Sequence, residues 1–324
     1  MKYATIPHTE LHASRICFGT ATIGGAIGEA DSFALMDAYC GLGGNFIDTA
    51  SVYSDWESEV KSVSEKTIGK WLQSRRNRDK IILATKGGHP PFDNLLASRL
   101  SPEDISLDLE KSLTHLGTDV IDLYWLHRDD PSRPVEEIID SLHAHVQAGR
   151  IRYYACSNWT TERIEAARQY AVSTGKQPFV ANQMQWSLAE VNPGSLADPT
   201  TVQMDGQMLD YHIKTGLAAI PYTSQAQGFF SGKFRPEDRS KPSVADMFYN
   251  EANFARLNRV QELAGQLGRS GTEIALAYLT SQPFATFPIV GCRTRQQLEE
   301  SASAGDLQLD AGTVRYLHGG EYTQ

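Results

Sequence analysis

Eight short apolar runs alternate with segments of helical pattern along this chain, and that alternation limits its possible folds more than any other feature. The runs are rich in β-branched and aromatic residues, and they lie at 16–20, 45–49, 80–86, 120–127, 151–157, 179–183, 217–223 and 285–290. Short runs of this composition are typical of strands that are buried on both faces. The pattern therefore predicts a parallel sheet that is covered by helices.

The segments between the runs carry the start and stop signals of helices. Ser101 is suited to an N-cap, Pro102 to the first helical position and Gly117 to the C-terminal stop of one helix. Apolar residues recur there at helical spacing and predict one buried stripe: Ile105, Leu109, Leu113 and Leu116. Ser64 is predicted as the N-cap of an earlier helix. Further helices are predicted at 31–43, 64–76, 134–149, 160–175, 205–216 and 294–305, and within a longer stretch at about 243–282.

Eight strand–helix units in succession predict a (β/α)8 TIM barrel, an α/β fold in which helices surround a parallel barrel. We expect one such domain over residues 1–324, because no linker or low-complexity segment interrupts the pattern. An open doubly wound sheet is the alternative, but its GxGxxG fingerprint after the first strand does not match GTATIGGAIG at 19–28. Long loops at 188–204 and 229–252 are expected to help build the active site.

Charge and composition argue against several classes of partner. The chain has 324 residues, of which 41% are hydrophobic, and a net charge of −9. Nucleic acid and anionic membranes both favour basic surfaces, so neither is expected as the main partner. Four scattered cysteines without metal-ligand spacing predict free thiols and no metal site. With no signal peptide and no apolar run of roughly 18 residues, we expect a cytoplasmic protein, whose oligomeric state stays open.

Four polar residues follow the strand pattern closely. Asp48, Lys86 and His127 stand at the carboxyl ends of predicted strands, and Tyr53 lies five positions after Asp48 in the next loop. The carboxyl ends of barrel strands share one face, so these side chains are expected to converge. Taken singly, each also fits a bland role: a structural Asp–Lys pair, an exposed tyrosine or a capping histidine. Their joint position on one face favours a functional role.

The chemistry of these four residue types suits proton transfer to a carbonyl group. Tyrosine is a weak acid with a reference pKa of about 10, and an adjacent ammonium favours the phenolate and lowers that pKa. A carboxylate holds the ammonium in place, and a histidine donates a hydrogen bond or relays a proton. Together the four can protonate a carbonyl oxygen while hydride reaches the carbonyl carbon.

The segments around the four residues resemble those of the aldo-keto reductase family. FIDTASVY at 46–53, ATKGG at 84–88 and LYWLHRDD at 123–130 occur in the family's order, and the resemblance covers nearly the whole chain. It implies a (β/α)8 barrel and an NAD(P)H-dependent oxidoreductase that reduces carbonyl groups.

The resemblance also implies a role for each member of the tetrad. Tyr53 is the general acid, Lys86 lowers the pKa of that tyrosine, Asp48 pairs with Lys86, and His127 orients the carbonyl. Proton donation of this kind typically contributes about 10²–10⁴-fold to the rate.

A dinucleotide site is implied by the same resemblance. Ser157, Asn158 and Gln183 match positions that hold the nicotinamide carboxamide, and Tyr222 matches the aromatic residue that stacks on its ring. The loop after Tyr222 resembles the segment that wraps the pyrophosphate, where backbone N–H groups and hydroxyls suit phosphate oxygens. The remaining implied cofactor contacts are Gly19, Thr20, Asp48, Thr223, Ser224, Gln225, Gln227, Gly228, Gly291, Cys292, Arg293, Gln297, Glu300 and Ser301.

The adenosine-binding segment bears on the choice between NADP(H) and NAD(H). Arg293 is suited to stacking on adenine and to pairing with a 2′-phosphate, which favours NADP(H). Gly291 stands where some branches of the family have a lysine, and Ser301 where many have an asparagine, so NAD(H) stays open as well. An alternative is that Gln297 and Glu300 only form a solvated helix face.

The substrate is expected to be a small carbonyl compound or alcohol. Trp56, His89 and Asp129 lie near the predicted mouth of the barrel, and their mixture of aromatic and polar groups suggests a hydroxylated or sugar-like compound. Alternatively, His89 only shapes its loop. Two other functions are open: a cofactor-binding regulatory subunit resembling ion-channel β-subunits, and a barrel hydrolase or isomerase with Asp48 in a carboxylate pair.

Overall fold

The eight predicted runs form one parallel sheet. The computed structural model describes residues 1–56 and 60–319. Within this part of the chain the strands are β1 (Tyr3–Thr5), β2 (His12–Ser14), β3 (Cys17–Gly19), β4 (Phe46–Asp48), β5 (Ile82–Gly87), β6 (Ile121–Leu126), β7 (Ile151–Ser157), β8 (Ala181–Gln183), β9 (Ala218–Ala219) and β10 (Ile289–Val290). The parallel sheet has the order β10–β3–β4–β5–β6–β7–β8–β9, and β1 and β2 pair separately as an antiparallel hairpin.

Backbone hydrogen bonds next to β9 and β10 close this sheet on itself. The Ala219 N–H donates to the carbonyl oxygen of Ala285, and the Ala219 carbonyl accepts from Phe287, each at 2.9 Å. The Ile289 N–H donates to Pro221 at 2.9 Å. Closure leaves no exposed sheet edge, as a barrel requires. The predicted (β/α)8 fold is confirmed.

Helices follow the strands in the predicted order. In the described residues they are α1 (Glu29–Gly41), α2 (Val63–Arg75), α3 (Pro102–Leu116), α4 (Val135–Gln147), α5 (Thr161–Ser173), α6 (Gly206–Thr215), α7 (Pro242–Phe248), α8 (Glu251–Leu267), α9 (Gly271–Thr280), α10 (Arg295–Ser303) and α11 (Ala311–His318). Of these described helices, none is both long and apolar enough to cross a membrane. The predicted loop at 229–252 was wrong in part, because it carries α7 and the start of α8.

Capping residues explain where several helices begin and end. Ser101 accepts a hydrogen bond from the first turn of α3, and Gly117 ends that helix with a φ of +62°, as predicted. The stretch at 243–282 divides into three helices because Asn250 caps α8 and Ser270 caps α9. Such side-chain caps satisfy N–H groups that have no partner within the helix.

Ser64 is not an N-cap, so that prediction was wrong. α2 begins at Val63, after Ser62, and Ser64 lies fully buried inside the first turn. The Ser64 hydroxyl donates to the carbonyl oxygen of Thr20 at 2.9 Å and lies 3.0 Å from the hydroxyl of Thr49. The first turn of α2 is thus tied to the carboxyl ends of β3 and β4.

The N-terminal hairpin closes the amino end of the barrel, a feature that the strand pattern did not predict. Ile6, Leu11 and Ala13 are buried in one cluster with interior barrel residues such as Phe46 and Trp125. Burial of apolar surface contributes about 25 cal/mol per Å² to stability. The hairpin therefore seals one end of the barrel and leaves the carboxyl ends of the strands for the functional site.

A buried tyrosine links the amino ends of β3 and β4. The Tyr39 hydroxyl lies 2.7 Å from the carbonyl oxygen of Ile16 and 2.9 Å from that of Phe46. It also lies 2.8 Å from the hydroxyl of Ser14. The side chain is fully buried, so water cannot replace these contacts.

We expect Tyr39→Phe to lower the free energy of unfolding by about 1–3 kcal/mol, because buried acceptors lose their donor. Urea unfolding followed by circular dichroism measures the change. Tyr170→Phe is the control, since the Tyr170 hydroxyl bonds Asp140 at 2.8 Å on the exposed surface and its loss should cost less than about 1 kcal/mol. If Tyr39→Phe were as stable as the wild type, the hydroxyl would have no role in joining the strands.

Candidate active site

A lysine ammonium lies at the centre of the candidate site. Lys86 Nζ donates to Asp48 Oδ2 at 2.5 Å, to the carbonyl oxygen of Thr49 at 2.8 Å and to the Tyr53 hydroxyl at 2.9 Å. These bonds use all three N–H donors of the ammonium. Lys86 and Asp48 are fully buried. The three predicted residues therefore form one connected group.

Local structure explains why these side chains meet. Asp48 ends β4 and is paired in register with Ala84 of β5. Because side chains alternate along a strand, Ala84 and Lys86 lie on the same face of β5. The turn after β4, in which the Tyr53 N–H donates to Ala50 at 3.1 Å, brings the tyrosine back over the strand ends. Strand register and one short turn are thus sufficient to assemble the group.

His127 completes the predicted tetrad. It directly follows β6, and its backbone N–H donates to Gly87 at 2.9 Å. Its ring lies edge-on to the Tyr53 ring, with 6.0 Å between the centroids. Among the described residues nothing bonds its buried Nδ1 atom. The structure therefore brings together all four residues that the strand-end argument selected.

Burial and neighbouring charges shift the pKa values of Lys86 and Tyr53 in opposite directions. Burial raises the pKa of Tyr53 above its usual value, and the Lys86 ammonium limits that rise. Although burial lowers the pKa of Lys86, the Asp48 carboxylate and Tyr53 outweigh it and raise that pKa overall. Lys86 therefore remains a cation and Tyr53 a protonated phenol at neutral pH. Lys86 thus lowers the pKa of Tyr53, as expected, but burial raises that pKa by more.

His127 is held in its neutral form. Burial lowers its pKa well below the usual value, and the cations of Arg128 and Lys86 lower it further. A neutral imidazole has one N–H donor and one acceptor nitrogen. His127 is therefore suited to donating a hydrogen bond to a substrate oxygen.

A cavity of about 880 Å³ extends from Tyr53 and His127 along the carboxyl end of the barrel. Most of the predicted cofactor residues line it: Gly19, Ser157, Asn158, Gln183, Tyr222, Thr223, Ser224, Gln225, Gln227, Gly228, Gly291, Cys292, Arg293, Gln297 and Glu300. These residues are far apart in sequence, and the barrel brings them to one rim.

Amides and hydroxyls line the end of the cavity beside the tetrad. The Asn158 side chain accepts from the Tyr222 hydroxyl at 2.7 Å and donates to Ser157 Oγ at 3.0 Å. Gln183 Nε2 donates to Asp48 Oδ1 at 3.2 Å, which connects the cavity wall to the ion pair. Amide groups present both donors and acceptors, as a carboxamide ligand requires.

Left-handed backbone conformations shape the middle of the cavity. Thr223, Ala226, Gln227 and Gly228 have φ values of +54°, +47°, +53° and +84°. Non-glycine residues are uncommon in this region and often mark functional segments. Turn conformations of this kind direct successive N–H groups to one side and create concavities for anions. The segment therefore fits the pyrophosphate of a dinucleotide.

Basic residues also line the cavity. Arg293 was predicted there, and its backbone N–H donates to Gln297 Oε1 at 2.9 Å. Lys233 and Lys241 also line the cavity, and sequence reasoning missed both. They lie in the loop at 229–252, so a search of that loop for cations would have found them. Arg128 also lines the cavity, which makes four cations in all, and such a group suits the phosphate groups of a dinucleotide.

Three predicted cofactor contacts do not line the cavity: Thr20, Asp48 and Ser301. Asp48 instead pairs with Lys86, and the other two support the site from behind. Thr20 is fully buried, and its hydroxyl donates to the carbonyl oxygen of Asp48 at 2.9 Å. Ser301 is also buried, donates to the carbonyl oxygen of Gln297 at 2.8 Å and accepts from Gln225 Nε2 at 2.9 Å. Each thus holds a neighbouring group in place.

The sequence matches a known family over most of its length. A sequence model of the Aldo/keto reductase family matches residues 15–319. The chain belongs to this family. It is 30% identical to an uncharacterized oxidoreductase of Bacillus subtilis, over 98% of the chain and 95% of that relative. It is 29% identical to the NADP(+) aryl-alcohol dehydrogenase of Phanerodontia chrysosporium, over 96% of the chain and 83% of that relative. It is 30% identical to norsolorinic acid reductase of Emericella nidulans, over 94% of the chain and 77% of that relative.

Membership in the aldo/keto reductase family confirms the predicted enzyme class, an NAD(P)H-dependent oxidoreductase. The family and the relatives support carbonyl reduction as the chemistry. The matched region contains the whole tetrad and every residue of the cavity lining.

Aromatic rings form a wall beside the tetrad of this aldo/keto reductase. Trp56 and Phe92 are 52% and 51% exposed and meet edge-on, with 6.4 Å between the centroids. Trp56 also lies 6.3 Å from Tyr53. His89 joins Phe92 to His127, with centroid distances of 5.1 and 4.6 Å. Trp56 and His89 thus lie beside Tyr53 and His127, and their contact with a substrate stays a prediction.

Asp129, the third predicted substrate residue, is paired elsewhere. Its two carboxylate oxygens accept from Arg163 Nε at 2.9 Å and from Arg163 Nη2 at 3.0 Å. A bidentate pair of this kind fixes both partners. Asp129 therefore anchors α5 to the end of β6, a structural role in place of the predicted substrate contact.

The neutral state of His127 predicts a pH dependence of stability. Because the folded protein depresses the pKa of this residue, the unfolded chain binds a proton more readily once pH falls below about 6.5. The contribution of His127 to the free energy of unfolding is therefore fully present above that pH and declines below it. Lowering the pH from 7 to 5 should reduce the free energy of unfolding of both proteins. The reduction should be up to about 2 kcal/mol larger in the wild type than in His127→Gln. Urea unfolding at the two pH values measures this difference, and identical declines would show that His127 titrates normally.

Proposed function

We propose that this aldo/keto reductase reduces aldehydes or ketones to alcohols, with NADPH as the preferred cofactor and Tyr53 as the general acid. The main support is the position of the Lys86 ammonium. It bonds both Asp48 and Tyr53 at one end of a cavity that is lined by amides, hydroxyls and cations. The same groups would serve the reverse oxidation of an alcohol.

The residues of the cavity fit a nicotinamide dinucleotide. A bound cofactor would supply the hydride. Ser157, Asn158 and Gln183 would hold the carboxamide, and Tyr222 would stack on the nicotinamide ring. The left-handed segment at 223–228 would bind the pyrophosphate through backbone N–H groups.

Tyr53 is the proton donor in the proposed reaction. Burial raises its pKa, so the phenol keeps its proton at neutral pH until a carbonyl oxygen gains negative charge. The Lys86 ammonium, 2.9 Å from the hydroxyl, stabilises the phenolate that remains. Neutral His127 donates a hydrogen bond to the same substrate oxygen, and Asp48 keeps the ammonium in place.

A substrate with an aromatic or other flat apolar group fits the site best. The half-exposed rings of Trp56 and Phe92 border Tyr53, and exposed aromatic faces of this kind are favourably covered by another ring. One relative is named an aryl-alcohol dehydrogenase, which agrees with this preference. The sugar-like alternative loses support because Asp129 is bound to Arg163.

We expect Tyr53→Phe to lose about 10²–10⁴-fold in kcat for carbonyl reduction and to keep its NADPH binding, because only the proton donor is removed. NADPH oxidation with aromatic aldehydes, aliphatic ketones and sugars measures turnover, and a fluorescence titration measures binding. Aromatic aldehydes should show the highest kcat/KM in the wild type. Tyr316→Phe is the control, since the Tyr316 hydroxyl bonds Glu262 between two outer helices at 2.7 Å.

Other outcomes of this experiment would favour other functions. Full activity of Tyr53→Phe would overturn the general-acid assignment. NADPH binding without turnover of any carbonyl would favour the regulatory subunit. Turnover without a nicotinamide cofactor would favour the hydrolase or isomerase.

The preference for NADPH is expected to depend on Arg293. Arg293→Gln should weaken NADPH binding about tenfold and NADH binding less, because both cofactors carry adenine but only NADPH carries a 2′-phosphate. Fluorescence titration with both cofactors measures the two Kd values. Arg295→Gln is the matched control, since Arg295 pairs with Glu299 at 2.7 Å outside the cavity lining. An equal loss for both cofactors would place Arg293 against a part that the two cofactors share.

A further inference from the structure

We propose that Arg128 and Asp198 form a clasp that fixes the wall of the cavity beside the tetrad, which makes Arg128 a positioning residue for carbonyl reduction. The proposal rests on the proposed function, because it concerns the same cavity. Arg128 directly follows His127, and Asp198 lies in the long loop at 188–204 between β8 and α6. Neither residue was among the sites predicted from the sequence.

Arg128 uses three nitrogen atoms to join two distant parts of the chain. Its Nη2 atom donates to Asp198 Oδ2 at 2.6 Å, and its Nε atom donates to Thr200 Oγ1 at 2.8 Å. Its Nη1 atom donates to the carbonyl oxygen of His127 at 2.7 Å. A guanidinium group is planar and offers its donors in fixed directions. These bonds therefore set the position of the loop relative to His127.

The loop that Arg128 holds has little backbone structure of its own. In the fully described segment 188–204 there is no helix, and a single-residue bridge joins Gln203 to Gln185. Asp198 organises a turn there, because its Oδ1 atom accepts from the Thr200 N–H at 2.8 Å. Segments with few backbone hydrogen bonds open easily unless side chains hold them. Loss of the ion pair is therefore expected to loosen this segment.

The clasped segment reaches the cavity and the proposed nicotinamide end. Thr201 lines the cavity together with Tyr53 and His127. One residue further, the Val202 N–H donates to Asn158 Oδ1 at 3.0 Å. Displacement of the segment would thus alter the space beside the tetrad and a hydrogen bond to a proposed carboxamide contact.

Arg128 itself lines the cavity with Tyr53 and His127, so it brings a second cation close to the tetrad. The Arg128 side chain is 11% exposed and that of Asp198 is 22% exposed, so solvent screens this ion pair only in part. Burial opposes ionisation of Asp198, but the hydrogen bonds from Arg128 and its neighbours hold the pKa of this carboxyl below its usual value. The pair therefore stays charged at neutral pH and retains its attraction.

A double-mutant cycle tests the clasp in the full-length enzyme. Arg128→Gln should lower kcat/KM for an aromatic aldehyde by at least about tenfold, because small displacements of a substrate wall cost activity. The double variant Arg128→Gln with Asp198→Asn should have a kcat/KM no lower than that of Arg128→Gln alone, because asparagine removes the carboxylate that lost its partner. Arg128→Lys, which keeps the charge but not the planar fork, should fall between the wild type and Arg128→Gln.

Hydrogen exchange gives a second measurement that does not depend on turnover. The backbone amides of Thr200 and Val202 should exchange about tenfold faster in Arg128→Gln than in the wild type. The matched control is the ion pair of Arg168 and Glu165 on α5, whose Nε–Oε2 and Nη2–Oε1 distances are both 2.7 Å. Arg168→Gln should change neither kcat/KM nor the exchange rates of the Thr200 and Val202 amides.

The possible failures are distinguishable. Additive losses in the cycle, with unchanged exchange at Thr200 and Val202, would overturn the clasp. Faster exchange with unchanged kcat/KM in an active enzyme would overturn the positioning role of Arg128. If the wild type bound NADPH but reduced no carbonyl, the proposed function would fail, while faster exchange in Arg128→Gln would still support the clasp.

Discussion

The buried Lys86 ammonium is the interaction on which the rest of the site depends. An unpaired charge in a protein interior costs several kcal/mol or more, so the ammonium requires oxygen partners for each of its donors. Asp48, Thr49 and Tyr53 supply these oxygens, and all three belong to the end of β4 or to the turn that follows it. The contacts form only when β4 and β5 pair in register. Strand pairing and the geometry of the Asp48–Lys86–Tyr53 group are therefore aspects of one arrangement.

Further polar contacts hold this arrangement from several directions. Ser64 ties the ends of β3 and β4 to the first turn of α2. Gln183 reaches Asp48 from β8, across the interior of the barrel. Arg128 joins the end of β6 to the loop before α6. Most of these contacts link elements that are far apart in sequence, so the site depends on the closed barrel.

Much of the fold was predictable because its signals are local. Barrel strands are buried on both faces, so each leaves a continuous apolar run in the sequence. The N-terminal hairpin escaped prediction because exposed residues interrupt β1 and β2, so neither strand leaves a continuous apolar run. The breaks between α7, α8 and α9 depend on the caps at Asn250 and Ser270, which lie within one long helical pattern. Ser64 was wrongly predicted as a cap because the hydroxyl bonds Thr20, a residue far away in sequence, and no local pattern shows that contact.

By itself, the sequence determined the barrel and the four residues of the tetrad, since apolar runs and the polar residues that end them are properties of short segments. Only the tertiary structure decided which charged groups pair. It assigned Asp129 to Arg163, placed Lys233 on the cavity wall and left the pKa of Tyr53 raised by burial. These outcomes depend on burial and on contacts between distant residues, which no local pattern encodes.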